Sequence, residues 1–291
     1  MSPISLISTS NQQSAKQSTR ATSTHKINGK RPFRAQDLKS IVLSLRQSEG
    51  IQSRQLFNGS QGRRMGMSIP RYQRNYTFLT RLINWYFLRF EINTPLRKVH
   101  FLAQAFAETD RFRSTVEYQG NRMPYSPYFG RGLLQLTHQS NYAGFNAYFN
   151  SALEYATGFD RTARRAPQII QQTAQYNDYQ HQPERIMNSL LPAIESATWF
   201  WAEGKVVTGN AQTMKWRAPN RYGGKRYPMR SIHYPQTTLS REMRYRAIDL
   251  NLIADDDNGD LISWLINGGE NAIEKRREYV ALLKVLFGIH E

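Results

Sequence analysis

Glu108 and Glu117, nine residues apart, are the pair in this sequence whose type and spacing suit acid–base chemistry. On a helical wheel, at about 100° per residue, Phe101, Ala105, Glu108 and Phe112 fall within roughly 40° of one another. That spacing makes one buried stripe, so a carboxylate stands on the apolar face of its own helix. A buried, unpaired carboxylate usually keeps its proton by raising its pKa. A proton held near neutral pH is what a general acid needs. A blander reading stays open, in which Glu108 ends its helix and bonds an arginine such as Arg111. Glu117 lies beyond the helix end, in a more polar stretch. Residues 124–132 (PYSPYFGRG) pack Pro, Gly and Tyr into a turn around Arg131. LLQLTHQSNY follows, with Gln135, Thr137 and Asn141 at alternate and near-alternate positions. Two carboxylates in different settings, with hydroxyl and amide groups to hold a water and a sugar, are the parts of glycosidic hydrolysis.

The elements that must position these residues are mostly helical. Residues 71–92 carry Tyr76, Leu79, Leu82, Ile83, Tyr86, Phe87 and Phe90 at steps of three and four, a stripe that reads as core. INTP at 92–95 breaks this helix, and Pro95 suits the first turn of the Glu108 helix. Upstream, Leu38, Ile41, Val42 and Leu45 predict a short helix over 36–48, closed near Gly50. Residues 52–70, with Gly59, Gly62, Gly66 and Pro70, read as a linker. Residues 1–35 are rich in Ser, Thr and Gln, contain no acid and predict a disordered tail, or a signal read during delivery. Beyond Tyr142 the aromatics of GFNAYFNSALEY predict core packing. A helix over 192–203 holds Trp199 and Trp201, of which one is expected in the core and the other near the cleft. DDDNGD at 255–260 lacks the ligand pattern of a calcium loop and reads as a turn leading into a helix N-terminus. A last helix starts near Glu270 or Asn271, with Val280, Leu283 and Phe287 docking it.

The central stretch resembles glycoside hydrolase family 19, which comprises plant-type chitinases and related muramidase domains of phage endolysins. The resemblance rests on FLAQAFAETDRF at 101–112, Glu117, and YFGRGLLQLTHQSNY at 128–142. Residues 197–201 (ATWFW) and 266–277 (INGGENAIEKRR) look like two further signatures of that family, in the same order. The nine-residue step between the glutamates is similar to the phage branch. Two departures stand out: Ala107 replaces a usual His, and Asp110-Arg111 replaces a usual Gly-Gly. PQIIQQTAQY at 167–176 resembles a family helix in position. The resemblance implies a mainly α, lysozyme-like fold with a small β-hairpin region by the cleft. It implies Glu108 as general acid, Glu117 as general base and Thr137 as the holder of the water, with inversion at the sugar. It implies substrate contacts from Tyr128, Arg131, Gln135, Asn141, Asn267 and Trp199. Arg131 is expected to fix the loops by pairing with a carboxylate. The domain itself is expected over 71–291, with a basic insertion at 205–248.

Composition bounds the rest. The chain has 291 residues, a net charge of +17, 40% hydrophobic residues and no cysteine. A core is affordable, thiol chemistry and Cys-based zinc sites are excluded, and the partner should be polyanionic or an acidic surface. Six histidines show no HExxH or HxH spacing, so no metal is expected, and no cofactor is expected because acid–base positioning would supply the chemistry. From Lys205 to Arg246 ten Lys and Arg meet one acid, Glu242, and interleave with Trp216, Tyr222, Tyr227, Tyr234 and Tyr245. That mixture suits single strands of nucleic acid or a glycan cleft facing anionic wall polymer, and the flanking motifs favour the second. The expected partner is the glycan strand of peptidoglycan, with chitin as the alternative substrate and a non-catalytic basic binding module as the alternative class. An inhibitor (immunity) protein or secretion machinery are further expected partners; no nucleic acid, no membrane span and a monomer are expected. No signal-peptide pattern is present. The expectation is therefore synthesis in the cytoplasm and action at the periplasm or cell wall, after passage through a lysis pore or secretion system, as an endolysin or an antibacterial effector.

Overall fold

The computed structural model describes residues 26–158 and 178–290, with the side chains of 153–158 left aside. The expected tail over 1–25 and the expected helix at 167–176 lie outside the described residues. The helices are α1 (Ala35–Ser48), α2 (Ser60–Arg64), α3 (Tyr76–Arg89), α4 (Pro95–Glu108), α5 (Gln139–Gly158), α6 (Leu190–Trp199), α7 (Leu250–Asp255), α8 (Gly259–Asn267) and α9 (Ile273–Phe287). Strands β1 (Lys215–Arg217), β2 (Arg226–Tyr234) and β3 (Met243–Ile248) form one antiparallel sheet in that order. The fold class is mainly α with a small β region, as the sequence predicts.

Caps explain where the helices begin. Asn75 accepts from Phe78 N–H and Thr94 from Arg97 N–H, with Pro95 at the first turn of α4. Asn258 accepts from Leu261 N–H, so DDDNGD does end in a helix N-terminus. The core centres on α6, every residue of which is buried. It packs on α3, while α9 packs on α4, and α1 bridges α3 and α9. Phe145, Tyr148 and Phe149 are buried, as expected of the aromatics after Tyr142.

Two boundaries differ from the sequence reading. Residues 26–34 are not a tail: Ile27 and Phe33 are buried, Ile27 N–H donates to Leu286 O, and the buried Lys98 Nζ donates to Gly29 O and Arg31 O. Residues 52–70 are more than a linker, because Leu56, Phe57, Met67 and Ile69 fill the same core as α1 and α3. The apolar residues in both stretches follow no helical or strand period, so periodicity misses them. Residues 205–248, expected as an insertion, carry the three strands of the sheet. Its alternation is hard to read because β2 changes face midway. Tyr227 and Met229 are buried in its first half, Tyr234 in its second, while Arg226, Ser231 and His233 are exposed.

Asp37 carries a pH dependence. Burial alone would raise its pKa, but hydrogen bonds from the Arg34 backbone and side chain and from Arg31 bring it to about 2, against an ordinary 3.8. A depressed carboxylate stabilises the fold above its unfolded pKa and loses that contribution as pH falls through the folded one. Asp37→Asn is therefore expected to cost about 2 kcal/mol at pH 7 and almost nothing near pH 2. Urea unfolding at the two pH values checks this, and an equal cost at both would refute it.

Candidate active site

One cleft of about 580 Å³ brings the two glutamates together. Glu108 reaches it from the last residue of α4, and Glu117 from the segment after the following turn. Gln135, Thr137 and Asn141 line it from the next loop and the start of α5, and Asn267 from the end of α8. Six of the nine expected site residues thus share one groove. Tyr128, Arg131 and Trp199 do not line it.

The turn after Glu108 is unusual. α4 ends at Glu108, so Phe112 is buried without continuing the predicted helical stripe. Asp110, Arg111 and Phe112 all have positive φ (47°, 66° and 57°). Non-glycine residues rarely adopt that region and need surrounding support. The Gly-Gly that the resembled family carries at 110–111 would suit this backbone. Here fixed partners replace glycine. Asp110 pairs with Arg113 at 2.7 Å, Arg111 is held by Glu49, and Phe112 N–H donates to Thr109 Oγ1 at 2.9 Å. Arg46, wholly buried, donates to the carbonyls of Arg111, Phe112, Ser53 and Gln55.

Glu108 is not isolated among apolar groups. Its carboxylate meets Arg276 Nη2 at 2.5 Å, and the two side chains are 13% and 6% exposed. Glu108 thus ends its helix and bonds an arginine, as the blander reading has it, but the partner is Arg276 of α9 and not Arg111, and the unpaired apolar setting is corrected. Arg276 Nη1 in turn donates to Gln104 Oε1, and Gln104 Nε2 to Ser263 Oγ at 2.9 Å. A chain of polar side chains thus runs from α8 through α4 to the carboxylate and fixes its orientation. A carboxyl that burial does affect in the expected direction is Glu195 in α6. Burial pushes its pKa up, partly offset by Arg89 and by hydrogen bonds from Tyr86 and Tyr148. Glu195 does not line the cleft.

Glu117 is held by neutral donors. Tyr125 Oη donates to Oε1 and Gly130 N–H to Oε2, both at 2.8 Å. Burial and the hydrogen bond to Glu117 push the Tyr125 hydroxyl up to about 12, so it stays a donor. Each carboxylate oxygen retains a further acceptor position. Gly130 is required by close approach: a Cβ there would lie 2.7 Å from Gln135 Oε1 and 3.2 Å from Glu117 Cβ. Gly132 is required twice over, by φ +82° and by Ala193 O and Ser196 Oγ, which a Cβ would meet at 3.0 and 2.7 Å.

Thr137 Oγ1 donates to Gln135 O at 2.7 Å, which leaves its lone pairs for another donor. Asn141 Nδ2 donates to Thr137 O at 2.7 Å. Gln135 Oε1 is buried without a hydrogen-bond partner. Asn267 Nδ2 makes a long 3.4 Å contact with Asn271 O.

Three expectations fail for physical reasons. Arg131 is 4% exposed and binds the carbonyls of Pro127 and Phe129 and the Tyr142 hydroxyl, rather than a carboxylate. It holds the turn from inside, with the bridges Val116–Arg131 and Arg131–Leu136 forming the small β region beside the cleft. Tyr128 packs on Tyr142, and the tyrosine that reaches the cleft from this turn is Tyr125. Trp199 and Trp201 are both buried, at 1% and 0% exposure. α6 passes into a π-helix at Phe200–Gly204, and the sheet covers its other side, so both faces are inside. Trp199 Nε1 donates to Tyr234 Oη at 2.9 Å, and Trp201 Nε1 to Asn251 Oδ1 at 2.9 Å.

Sequence reasoning did not single out Arg276, Gln104, Tyr125, His138 and Lys205, of which Tyr125, His138 and Lys205 line the cleft, Arg276 holds Glu108 and Gln104 holds Arg276. Arg276, Gln104, Tyr125 and His138 lie within quoted motifs, which is the one signal that points to them. Among the described residues no group of three or more His, Asp or Glu is placed to hold a metal ion, and no helix is long and apolar enough to cross a membrane.

No protein-family model matches the chain. No curated protein matches it either. Among solved structures it is similar to a bacterial family 19 chitinase, with a TM-score of 0.42 and 16% identity over 80% of this chain and 96% of that one. It is also similar to a chitinase C mutant, with a TM-score of 0.42 and 14% identity over 79% of this chain and 92% of that one.

Proposed function

We propose that this chain is a glycoside hydrolase that cuts the β-1,4 bonds of peptidoglycan by inverting acid–base catalysis. The observation that carries the reading is the pair Glu108 and Glu117 in one cleft, one carboxylate oriented by a guanidinium and the other by neutral donors. Glu108, anchored through Oε1, protonates the glycosidic oxygen from its other oxygen. Glu117 takes a proton from a water on the opposite face of the sugar. Thr137 Oγ1, already committed as a donor to Gln135 O, accepts one hydrogen of that water. The water then presents its lone pair to the anomeric carbon. Gln135, Asn141 and Asn267, which line the cleft, hydrogen-bond the hydroxyl and acetamido groups of the sugar. Positioned acid and base groups supply this chemistry.

A net charge of +17 supports an anionic wall polymer over neutral chitin. Action as an endolysin or as a delivered antibacterial effector, outside the cytoplasm, belongs to the same proposal. Purified peptidoglycan should clear on incubation with the protein. Mass spectrometry of the soluble products should show cut glycan strands with intact peptide stems, and proton NMR should show the α-anomer first. Cleavage confined to the peptide stems, or binding without any cut bond, would overturn the reading in favour of another hydrolase or of a binding module.

A further inference from the structure

We infer that Lys205 reads a carboxylate on the substrate, the lactyl or peptidyl carboxyl of a muramic acid unit, and so selects peptidoglycan over neutral glycan. This deepens the proposed function and rests on it. Lys205 lines the same cleft as Glu108 and Glu117 and follows directly on the π-helical turn Phe200–Gly204. Its backbone is pinned to the sheet: Ile248 N–H donates to Lys205 O at 2.9 Å, and Val206 bridges to Ala247. Its ammonium lies over the Phe200 ring, 5.7 Å from the centroid, with Phe200 also in the cleft wall.

What marks this lysine is the charge balance around it. Arg111, the other basic chain of the cleft lining apart from His138, is held by Glu49. Among the described residues no carboxylate forms an ion pair with Lys205, whereas Asp110 pairs with Arg113 and Glu108 with Arg276. Burial without a counter-ion pulls the Lys205 ammonium below its ordinary pKa. A half-buried cation without an anion is costly, and an aromatic face offsets only part of that cost. An anionic substituent entering the cleft completes the pair. Chitin carries acetamido and hydroxyl groups alone, whereas each muramic unit of peptidoglycan adds a carboxyl-bearing side chain.

Steady-state kinetics of the full chain on soluble peptidoglycan strands, on the same strands with carboxyls amidated by carbodiimide, and on chitin oligosaccharides test this. Lys205→Met keeps the stem over Phe200 and removes the charge. Its KM on native strands should rise about tenfold, the worth of one charge-assisted hydrogen bond, with kcat within twofold. On amidated strands and on chitin oligosaccharides it should match the wild type, and Lys205→Arg should recover most of the KM. A wild-type chain that cuts native strands while Lys205→Met does so with the same KM overturns the role of Lys205 and leaves the hydrolase reading standing. Equal losses on charged and neutral substrates also overturn it, since they mark a structural lysine. A wild-type chain that cuts none of the three overturns both.

Discussion

Glu108→Gln is expected to abolish nearly all glycan cleavage while the protein stays folded. Glutamine keeps the shape of the side chain and still offers Arg276 Nη2 an oxygen acceptor, which now lies 2.5 Å from Glu108 Oε1. The amide has no proton acidic enough for a departing sugar oxygen. General acid catalysis contributes typically 10²–10⁴-fold, so kcat should fall by about a thousandfold with KM within a few-fold. Arg276, 6% exposed, keeps this acceptor in the variant, so the melting temperature should stay within a few degrees of the wild type. The leaving group separates the two glutamates. An aryl glycoside that departs without protonation should restore much of the rate to Glu108→Gln and none to Glu117→Gln. Retention of more than a tenth of wild-type activity on natural strands in Glu108→Gln would remove Glu108 from the chemistry.

Arg46→Ala should produce the opposite profile, a large loss of stability that reaches the site second-hand. The Arg46 guanidinium serves four backbone carbonyls, those of Ser53, Gln55, Arg111 and Phe112, at 2.7–3.2 Å. Truncation leaves buried acceptors without donors, at about 1–3 kcal/mol each before water enters. It also frees a turn whose three residues sit at positive φ. A total of about 4 kcal/mol is expected, which for a chain of this size lowers the melting temperature by roughly 10 °C. Below the new transition, kcat should still fall, because the turn begins two residues after Glu108. Calorimetry paired with initial rates checks both parts; a melting shift under about 2 °C would show that water replaces Arg46 without loss.

The two variants show where sequence reading reached and where it stopped. The helix of Glu108 was legible because Phe101 and Ala105 recur with its period and Pro95 opens it. The shared groove of Glu108, Glu117, Gln135, Thr137, Asn141 and Asn267 was legible through spacing and motif resemblance. The electrostatic setting of Glu108 was not, because its partner Arg276 is 168 positions away and stands beside an equally plausible Arg277. Arg46 gave no signal at all: its task is to bind carbonyls, which carry no side-chain signature. The inward placement of both Trp199 and Trp201 was missed because a helix covered on every side breaks the rule that one face meets water. The sheet that covers it was hidden by the twist of its middle strand.

That twist has a mechanical consequence. β2 buries Tyr227 and Met229 on one side and Tyr234 on the other, so a slip of one residue against β3 would expose these three together and drive Arg226, Ser231 and His233 inward. Both halves of the strand therefore resist sliding in either direction. The Ile248–Lys205 hydrogen bond fastens that locked ribbon to the far wall of the groove. The groove is thus a jaw with one clamped side, and whatever enters it must fit that wall as it stands.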